Sequence, residues 1–421
     1  MKYGLIGERL EYSHSKKIHE RIADYKYDLL PMPAGDVEEF VLRGGYDRFN
    51  VTIPYKQVVM PLLDFISDEA RRIGSVNTVL RKDGRLLGYN TDYAGFLHMA
   101  NRAGISFSGR KTLILGTGGA SQTAQTVAKD QGASEVVVVS RSGLINYENI
   151  YEQCDTQVIV NTTPIGTYPK NGERLIEISR FPKLEGVLDM VYNPLRTAMV
   201  LDARRLKIKT SGGLSMLVHQ AVVAAGYFTG RQFDTGETER ILHSLAAELG
   251  NIILIGMPSC GKSRLGQALA RRMKRPFMDL DIALTKRAGI SIPEIFERDG
   301  EEVFRRLETE VLAKETALPG RVISTGGGVV TRAENLRWLH QNGTVIFIHR
   351  PLEKLEEGKG RPLSHSKKAV ELLYRERLPL YEAAADITVK NDGAFMQTVY
   401  RLQAAYEKQA GDCGERRGST K

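Results

Sequence analysis

Gly256-Met-Pro258-Ser259-Cys260-Gly261-Lys262-Ser263 carries the most specific chemical signal in this 421-residue chain. Two glycines bracket four residues and a Lys-Ser pair closes the string, the spacing of a loop whose backbone N–H groups wrap phosphate oxygens. In such a loop the lysine reaches the β- and γ-phosphates and the serine hydroxyl meets magnesium. Arg264 follows directly. The small side chain of Cys260 suits a tight turn, and no redox role follows from it. The string implies a nucleotide such as ATP with Mg2+, and leaves open what receives the phosphate.

Residues further on can supply an acceptor site. Phe277-Met-Asp279-Leu-Asp281 puts two carboxylates behind a strand-like run. One can stand near magnesium while the other accepts a hydroxyl proton. Phe296, Phe304 and Arg305 follow, and arginine holds a carboxylate through two parallel hydrogen bonds. The Gly326-Gly327-Gly328 triplet lets the backbone approach a small ligand closely. Glu308 lies three residues beyond Arg305, so an ordinary ion pair on a helix face also accounts for these two.

The first half holds a different set. Ser13 and Ser15 flank His14; then come Asn50-Val-Thr52-Ile-Pro-Tyr-Lys56, Asn77 in the run 74–78, and Asn90-Thr-Asp92. Hydroxyls and amides in that number suit a polyhydroxylated ligand, whose donors and acceptors all need partners. Lys56 and Asp92 can form a proton-transfer pair beside a carbonyl being reduced to an alcohol. Gly116-Thr117-Gly118-Gly119-Ala120 lets a pyrophosphate come close to N–H groups at a helix start. Arg141 stands where an acidic residue would take the ribose hydroxyls of NAD, and arginine favours the 2′-phosphate of NADP. Taken singly, each of these residues is also explained as a turn residue, a cap or a surface ion pair.

Both glycine loops need a strand before them and a helix after them. Lys111–Leu115 is an apolar run ahead of the first loop, and a helical stretch continues to about Gln131. Asn251–Ile255 precedes the second loop, and 264–274 reads as its helix. Short β-rich runs at 135–140, 156–160, 321–324 and 344–349 alternate with helix-like stretches, which predicts α/β architecture with parallel sheets in both halves. A boundary falls near Gly250, where the amphipathic run 238–249 passes straight into the next strand without a Pro/Gly/Ser linker. Residues 409–421 are polar and read as a disordered tail.

The length exceeds what one ordinary core needs. Hydrophobic residues at 42% and charged residues at 26% fall in the globular range. No apolar run approaches the ~18–20 residues of a membrane span, and the N-terminal stretch lacks signal-peptide architecture. Cys154, Cys260 and Cys413 are far apart and odd in number, which argues against a disulfide framework and for a reduced, cytoplasmic setting. The formal charge of +9 fits pockets for anionic small molecules; with basic residues spread along the chain and no recognised binding module, neither nucleic acid nor a membrane is an expected partner. Monomer and dimer both fit.

Taken jointly, the strings of about the first 245 residues resemble the shikimate dehydrogenase family. Asn161-Thr-Thr-Pro-Ile-Gly166, Asp189-Met190-Val-Tyr192-Asn-Pro194 and Gly213-Leu-Ser-Met-Leu-Val-His-Gln220 fit further stretches of it. The resemblance implies a substrate-binding α/β domain over 1–100, completed by helices at about 215–249, and a Rossmann-type NADP domain over 101–214. It implies that Ser13, Ser15, Asn50, Thr52, Asn77, Tyr192 and Gln220 hold shikimate, with Lys56 and Asp92 as the catalytic pair. It puts NADP(H) on Gly116–Ala120 and Arg141, with Met190 and Gly213 also in contact. Lys16 stands where the family usually has proline, and Ser140 and Ser142 where it has asparagine and threonine. The stretch from Ser142 to Asp155 is shorter than usual and lacks a full helix–strand unit, beside the adenosine end of the cofactor.

Residues from about 251 to 403 resemble shikimate kinase, a P-loop fold with helices on both faces of a parallel sheet, expected over 250–408. This resemblance gives Lys262 and Asp281 the catalytic roles, with Asp281 on the acceptor hydroxyls and Asp279 beside Mg2+. It implies that Arg305 and Arg377 hold the shikimate carboxylate, that Gly327 contacts the ring, and that Phe296 and Phe304 wall the pocket. It also implies that Arg361, in Gly360-Arg-Pro-Leu363, lies on a lid and reaches the ATP phosphates; the run 351–360 leading to it is a few residues short of the family's. The two resemblances together imply a bifunctional enzyme on the route to chorismate and the aromatic amino acids. NADPH reduces 3-dehydroshikimate to shikimate, and ATP converts shikimate to shikimate 3-phosphate. Two rivals share much of this sequence. One is an NAD-linked quinate/shikimate dehydrogenase fused to the kinase, against which Arg141 argues. The other is an inactive metabolite-sensing regulator, which predicts broken catalytic positions where Lys56, Asp92, Lys262, Ser263, Asp281 and Arg305 stand intact.

Overall fold

A computed structural model describes residues 1–11, 13–356 and 366–410. They fall into two compact units, one of residues 1–193 and 202–245, the other of 194–201 together with the chain from residue 246 onward. Among the described residues no helix is long and apolar enough to cross a membrane.

The first unit begins with β1 (Tyr3–Gly7), α1 (Ser15–Ile22), β2 (Tyr27–Pro31), α2 (Val37–Arg43), β3 (Arg48–Val51), β4 (Phe65–Ile66), α3 (Asp68–Ile73), β5 (Thr78–Lys82), β6 (Arg85–Tyr89) and α4 (Asp92–Arg102). The six strands make one sheet in the order β2-β1-β3-β5-β6-β4. β1 is parallel to β2 and β3, whereas β5 runs antiparallel to both β3 and β6. This sheet is therefore mixed, where alternation alone predicts a parallel one. The cause is local: Asp83 and Gly84, with φ of 51° and 76°, make the two-residue hairpin turn that an Asp-Gly pair favours. Ser67 caps α3 by accepting the Ala70 N–H at 3.3 Å, and Gly74 ends that helix in the left-handed region, as a helix stop requires.

The chain continues with β7 (Lys111–Leu115), α5 (Gly119–Asp130), β8 (Glu135–Val139), β9 (Val158–Asn161), β10 (Gly186–Asp189), α6 (Ala198–Arg205), β11 (Lys209–Gly212), α7 (Leu214–Thr229) and α8 (Thr235–Leu249), of which the first unit takes α6 from Asp202 and α8 as far as Leu245. The sheet order is β11-β10-β9-β7-β8, and every pairing is parallel. The crossover from β8 to β9 carries a 3₁₀ turn, Ile150–Gln153, and no α-helix. Leu113, Ile114 and Leu115 of β7 are fully buried, as a strand covered on both faces demands. α7 lies close along α4, since a Cβ on Gly95 would come 2.8 Å from the Met216 carbonyl.

The second unit holds β12 (Asn251–Ile255), α9 (Lys262–Met273), β13 (Phe277–Asp279), α10 (Leu280–Ala288), α11 (Ile292–Ala317), β14 (Val322–Ser324), α12 (Ala333–Asn342), β15 (Gly343–His349), α13 (Lys367–Ala384), β16 (Ile387–Lys390) and α14 (Phe395–Ala410). Its sheet is parallel throughout, in the order β13-β14-β12-β15-β16. All five residues of the central strand β12 are buried; each apolar one contributes roughly 1.5–3 kcal/mol of hydrophobic stabilisation. Ser291 and Glu294 form a reciprocal cap at the start of α11, and Gly300, at φ 82°, breaks that helix midway. The break separates the turn bearing Phe296 from the one bearing Phe304, Arg305 and Glu308. α14 runs to Ala410, two residues into the segment read as a tail.

Candidate active sites

In the first unit Lys56 Nζ lies 2.5 Å from Asp92 Oδ2. Lys56 comes from the loop after β3 and Asp92 opens α4. Asn90 fixes that opening: its amide donates to Ser75 O at 2.8 Å and Ser75 Oγ at 3.0 Å, and its oxygen accepts the Asp92 N–H at 3.0 Å. The two side chains keep 24% and 15% of their surface exposed, so a ligand can reach the pair.

Three elements meet beside it. Asn77, just before β5, donates to Thr91 Oγ1 at 3.0 Å and accepts the Thr91 N–H at 2.8 Å. Thr91 Oγ1 in turn lies 3.3 Å from Gln220 Oε1 on α7. The Ser15 N–H bonds Ser13 Oγ at 3.2 Å at the start of α1, and the His14 ring meets Tyr192 edge-on with centroids 6.0 Å apart. Burial pushes the Tyr192 phenol above its ordinary range, which keeps it a hydrogen-bond donor. Thr52 is anchored by its N–H to Ile6 O at 2.9 Å.

Asn50, expected on the ligand, is held within the protein by three hydrogen bonds. Its amide donates to Asn77 O at 3.1 Å and Thr78 Oγ1 at 2.9 Å, and its oxygen accepts from Tyr27 Oη at 2.7 Å. It is 6% exposed. With its amide engaged inside the protein, Asn50 anchors the Asn77 carbonyl and the Thr78 hydroxyl.

The dinucleotide loop bridges β7 and α5. Gly116 sits at φ 108°, and a Cβ there would come 2.8 Å from Thr162 Oγ1, whereas Gly118 and Gly119 face open space. The helix N-terminus is thus uncovered and free to meet an anion. Gly213 packs against Met190, whose carbonyl a Cβ at 213 would strike. Thr117, Ala120 and Arg141 are exposed, the last just beyond β8.

In the second unit the phosphate loop links β12 to α9. Gly256, Ser259 and Gly261 take φ of 146°, 62° and 99°, left-handed values that only close tertiary support maintains at a serine. Lys262 Nζ donates to the carbonyls of Gly256 and Met257 at 2.9 and 3.0 Å. Ser263 Oγ donates to Asp279 Oδ2 at 2.6 Å and lies 3.3 Å from Ser324 Oγ. This oxygen cluster has the donor chemistry of a hard divalent cation. Asp279 also accepts the Asp281 N–H at 3.1 Å and so caps α10.

A cavity of about 740 Å³ opens over that loop, and Pro258, Arg264, Asp281, Phe296, Phe304, Arg305, Gly327 and Arg377 also line it. Arg305 Nη1 meets Glu308 Oε2 at 2.8 Å, and its other nitrogens reach Glu301 Oε1 at 3.0 and 3.2 Å. Arg377 donates to Gly327 O at 3.1 Å, a carbonyl that Tyr381 Oη also meets. The glycine triplet is needed for space. A Cβ at 326 would come 2.5 Å from Glu308 Oε1, and one at 327 would come 2.8 Å from Pro258. Cys260 is buried, with its carbonyl accepting from Asn391 at 2.9 Å. Arg361 lies outside the described residues.

Residues 5–79 match the family model for the shikimate dehydrogenase substrate binding domain. A shikimate dehydrogenase (NADP(+)) of Clostridium perfringens is 37% identical over 265 residues, which span 97% of that protein and 58% of this chain. The chain belongs to the shikimate dehydrogenase family. Among solved structures, shikimate dehydrogenase 1 of Peptoclostridium difficile is 34% identical, with a TM-score of 0.54 over 58% of this chain and 98% of that one. A chorismate mutase/shikimate 5-dehydrogenase fusion protein from Clostridium acetobutylicum is 33% identical, with a TM-score of 0.55 over 58% and 96% of the two chains. Residues 258–406 match the family model for shikimate kinase. With both matches, the chain is a bifunctional enzyme of the shikimate pathway.

Several residues of these dehydrogenase and kinase sites escape sequence reasoning. Thr91 links Asn77 to Gln220, and its place beside Asp92 in the Asn90-Thr-Asp92 string was the available signal. Glu308, readable as a plain helix-face ion pair, is instead buried, and its Oε1 has no hydrogen-bond partner among the described residues. Burial pushes its carboxyl above the usual range despite Arg305. Tyr27, which bonds Asn50, carries no signal in the sequence at all.

Proposed function

We propose that the first unit reduces 3-dehydroshikimate to shikimate with NADPH, and that the second phosphorylates shikimate with ATP to shikimate 3-phosphate. The 2.5 Å approach of Lys56 to Asp92 beside Asn77, Thr91 and Gln220 supports the first half most directly. NADPH, when bound, supplies the hydride. Lys56 delivers a proton to the oxygen as the carbonyl becomes a hydroxyl, and Asp92 holds the ammonium in line. Ser13, Ser15, Thr52, Asn77, Tyr192 and Gln220 match the ring hydroxyls and carboxylate of the substrate. Asn50 orients Asn77. Gly116–Ala120, Met190 and Gly213 bound the cofactor groove, and Arg141 is suited to a 2′-phosphate.

In the second unit Asp281 accepts the proton of the attacking hydroxyl as its oxygen bonds the γ-phosphorus and the β,γ-bridging bond breaks toward ADP. Lys262 and the loop N–H groups stabilise the developing charge. Arg305 and Arg377 take the acceptor carboxylate, against Phe296, Phe304 and Gly327. Mg2+, where bound, would be held by Ser263 and Asp279 and would neutralise phosphate charge. The free cysteines Cys154 and Cys260 fit a cytoplasmic enzyme.

Product identification tests this reading. Protein given 3-dehydroshikimate with either NADPH or NADH, and then ATP with Mg2+, should yield shikimate faster with NADPH and a single phosphate ester by mass spectrometry. Preference for NADH, or faster turnover of quinate than of shikimate in the reverse direction, would replace it with the quinate/shikimate dehydrogenase.

A further inference from the structure

Among the described residues the kinase cavity contains two cations that the mechanism above leaves unused, Arg264 and Arg350. Arg350 directly follows β15 and lines the cavity together with Lys262, Arg264 and Arg305. Its Nε donates to Lys354 O at 2.8 Å, across the short 3₁₀ turn Leu352–Lys354. That bond fixes the plane of the guanidinium at one edge. Its two terminal amino groups make no hydrogen bond to the other described residues. The other described cavity cations have contacts of their own: Arg305 with Glu301 and Glu308, Arg377 with Gly327 O, Lys262 with its own loop carbonyls, and Arg264 over the Phe395 ring at 5.5 Å.

Sheet order decides which ligand Arg350 faces. β15 is the neighbour of β12, with Ile255 in register with Phe347. A Cβ on Gly256, the first residue of the phosphate loop, would come 2.7 Å from Ile348 O. β14 and β13, which carry Gly326–Gly328 and Asp279–Asp281 at their ends, lie on the opposite side of β12. Arg350 therefore stands beside the phosphate loop, on the side away from the acceptor groups. A triphosphate concentrates negative charge there, and a guanidinium held at one edge offers its free edge as a two-pronged phosphate donor.

We infer that Arg350 is a phosphate-contacting residue of the kinase, binding the nucleotide and not the carboxylate of the acceptor. The inference rests on the kinase reading, and its test separates the two. In the full chain, Arg350→Gln and Arg350→Lys are compared with the unaltered protein for ADP formation at varied ATP and at varied shikimate. The rise in unfolding temperature on adding ADP with Mg2+ reads nucleotide binding without turnover. Arg350→Gln should raise the KM for ATP by about tenfold or more and at least halve the ADP-induced rise, with lysine recovering part of both. The KM for shikimate should stay within about twofold. An unaltered protein that makes no ADP, but whose ADP-induced stabilisation is lost in Arg350→Gln, would sink the kinase reading while keeping the phosphate role. Unchanged ATP dependence and ADP stabilisation in Arg350→Gln would overturn the inference, as would a rise confined to the KM for shikimate.

Discussion

The Arg305 guanidinium fills the space that a side chain on Gly328 would take, so that a Cβ there would run into it. Gly328 has an ordinary φ of −101°, and backbone strain does not explain the glycine. The explanation is room for the Arg305 guanidinium, to which the proposed mechanism gives the acceptor carboxylate. Gly328→Ala should cost the fold only about 1 kcal/mol, since a flexible side chain can move aside. It should nevertheless raise the KM of the kinase for shikimate by about tenfold or more, because the displaced guanidinium loses its two-pronged grip. Steady-state ADP formation checks this, with the KM for ATP unchanged.

Lys56 and Asp92 meet across 36 residues of sequence. Lys56→Ala and Asp92→Asn should each lower the dehydrogenase kcat by about 10²–10⁴, the usual worth of a positioned proton donor. Phosphorylation of added shikimate should be unaffected. Retained binding of shikimate, measured by calorimetry, separates a lost proton transfer from a lost site.

Arg141 is exposed just beyond β8, so its contribution is moderated by water. Arg141→Gln should raise the KM for NADPH by about tenfold and leave that for NADH within about twofold, narrowing the preference between the two. A variant with the same NADPH-to-NADH ratio as the parent would remove Arg141 from the cofactor site.

Three histidines make the first unit acid-sensitive. His19 stacks on Tyr27 with centroids 4.1 Å apart, and burial lowers its pKa from 6.5 to about 3. His219 stacks on His98, also at 4.1 Å; burial first and the charge of His98 second lower it to about 4. Burial lowers His98 as well, against the pull of Glu239. All three favour the neutral form when folded, so the unfolded chain binds more protons below pH 6.5. Their stabilisation is present above pH 6.5 and is lost as pH falls from there through about 4 to about 3. The unfolding temperature of this unit should drop over that window, and His219→Gln should make the drop shallower. Equal slopes in the two proteins would contradict this.

The sequence made both glycine-rich strand-to-helix loops readable because each is a contiguous string with strict spacing, and glycines there serve backbone needs that no other residue meets. The two five-stranded sheets followed from the same strings, since each loop needs a buried strand behind it. The antiparallel part of the first sheet had a signal in Asp83-Gly84, which alternation of strands and helices obscured. The anchoring role of Asn50 was not legible, because its partner Tyr27 lies 23 residues upstream and only the pairing of β1 with β2 and β3 brings them together. Glu308 was visible as a residue but not as a buried carboxylate, since burial depends on how α11 breaks at Gly300 and closes over the glycine triplet.

The measurement that reaches the central claim most directly follows NADPH loss and ADP formation separately in one mixture of protein, 3-dehydroshikimate, NADPH, ATP and Mg2+. Both signals should appear; Lys56→Ala should slow the first by about 10²–10⁴, and Lys262→Ala should abolish ADP formation from added shikimate while leaving NADPH oxidation intact. Bound ligands with neither signal above background would contradict the account and leave a chain that senses these metabolites without converting them.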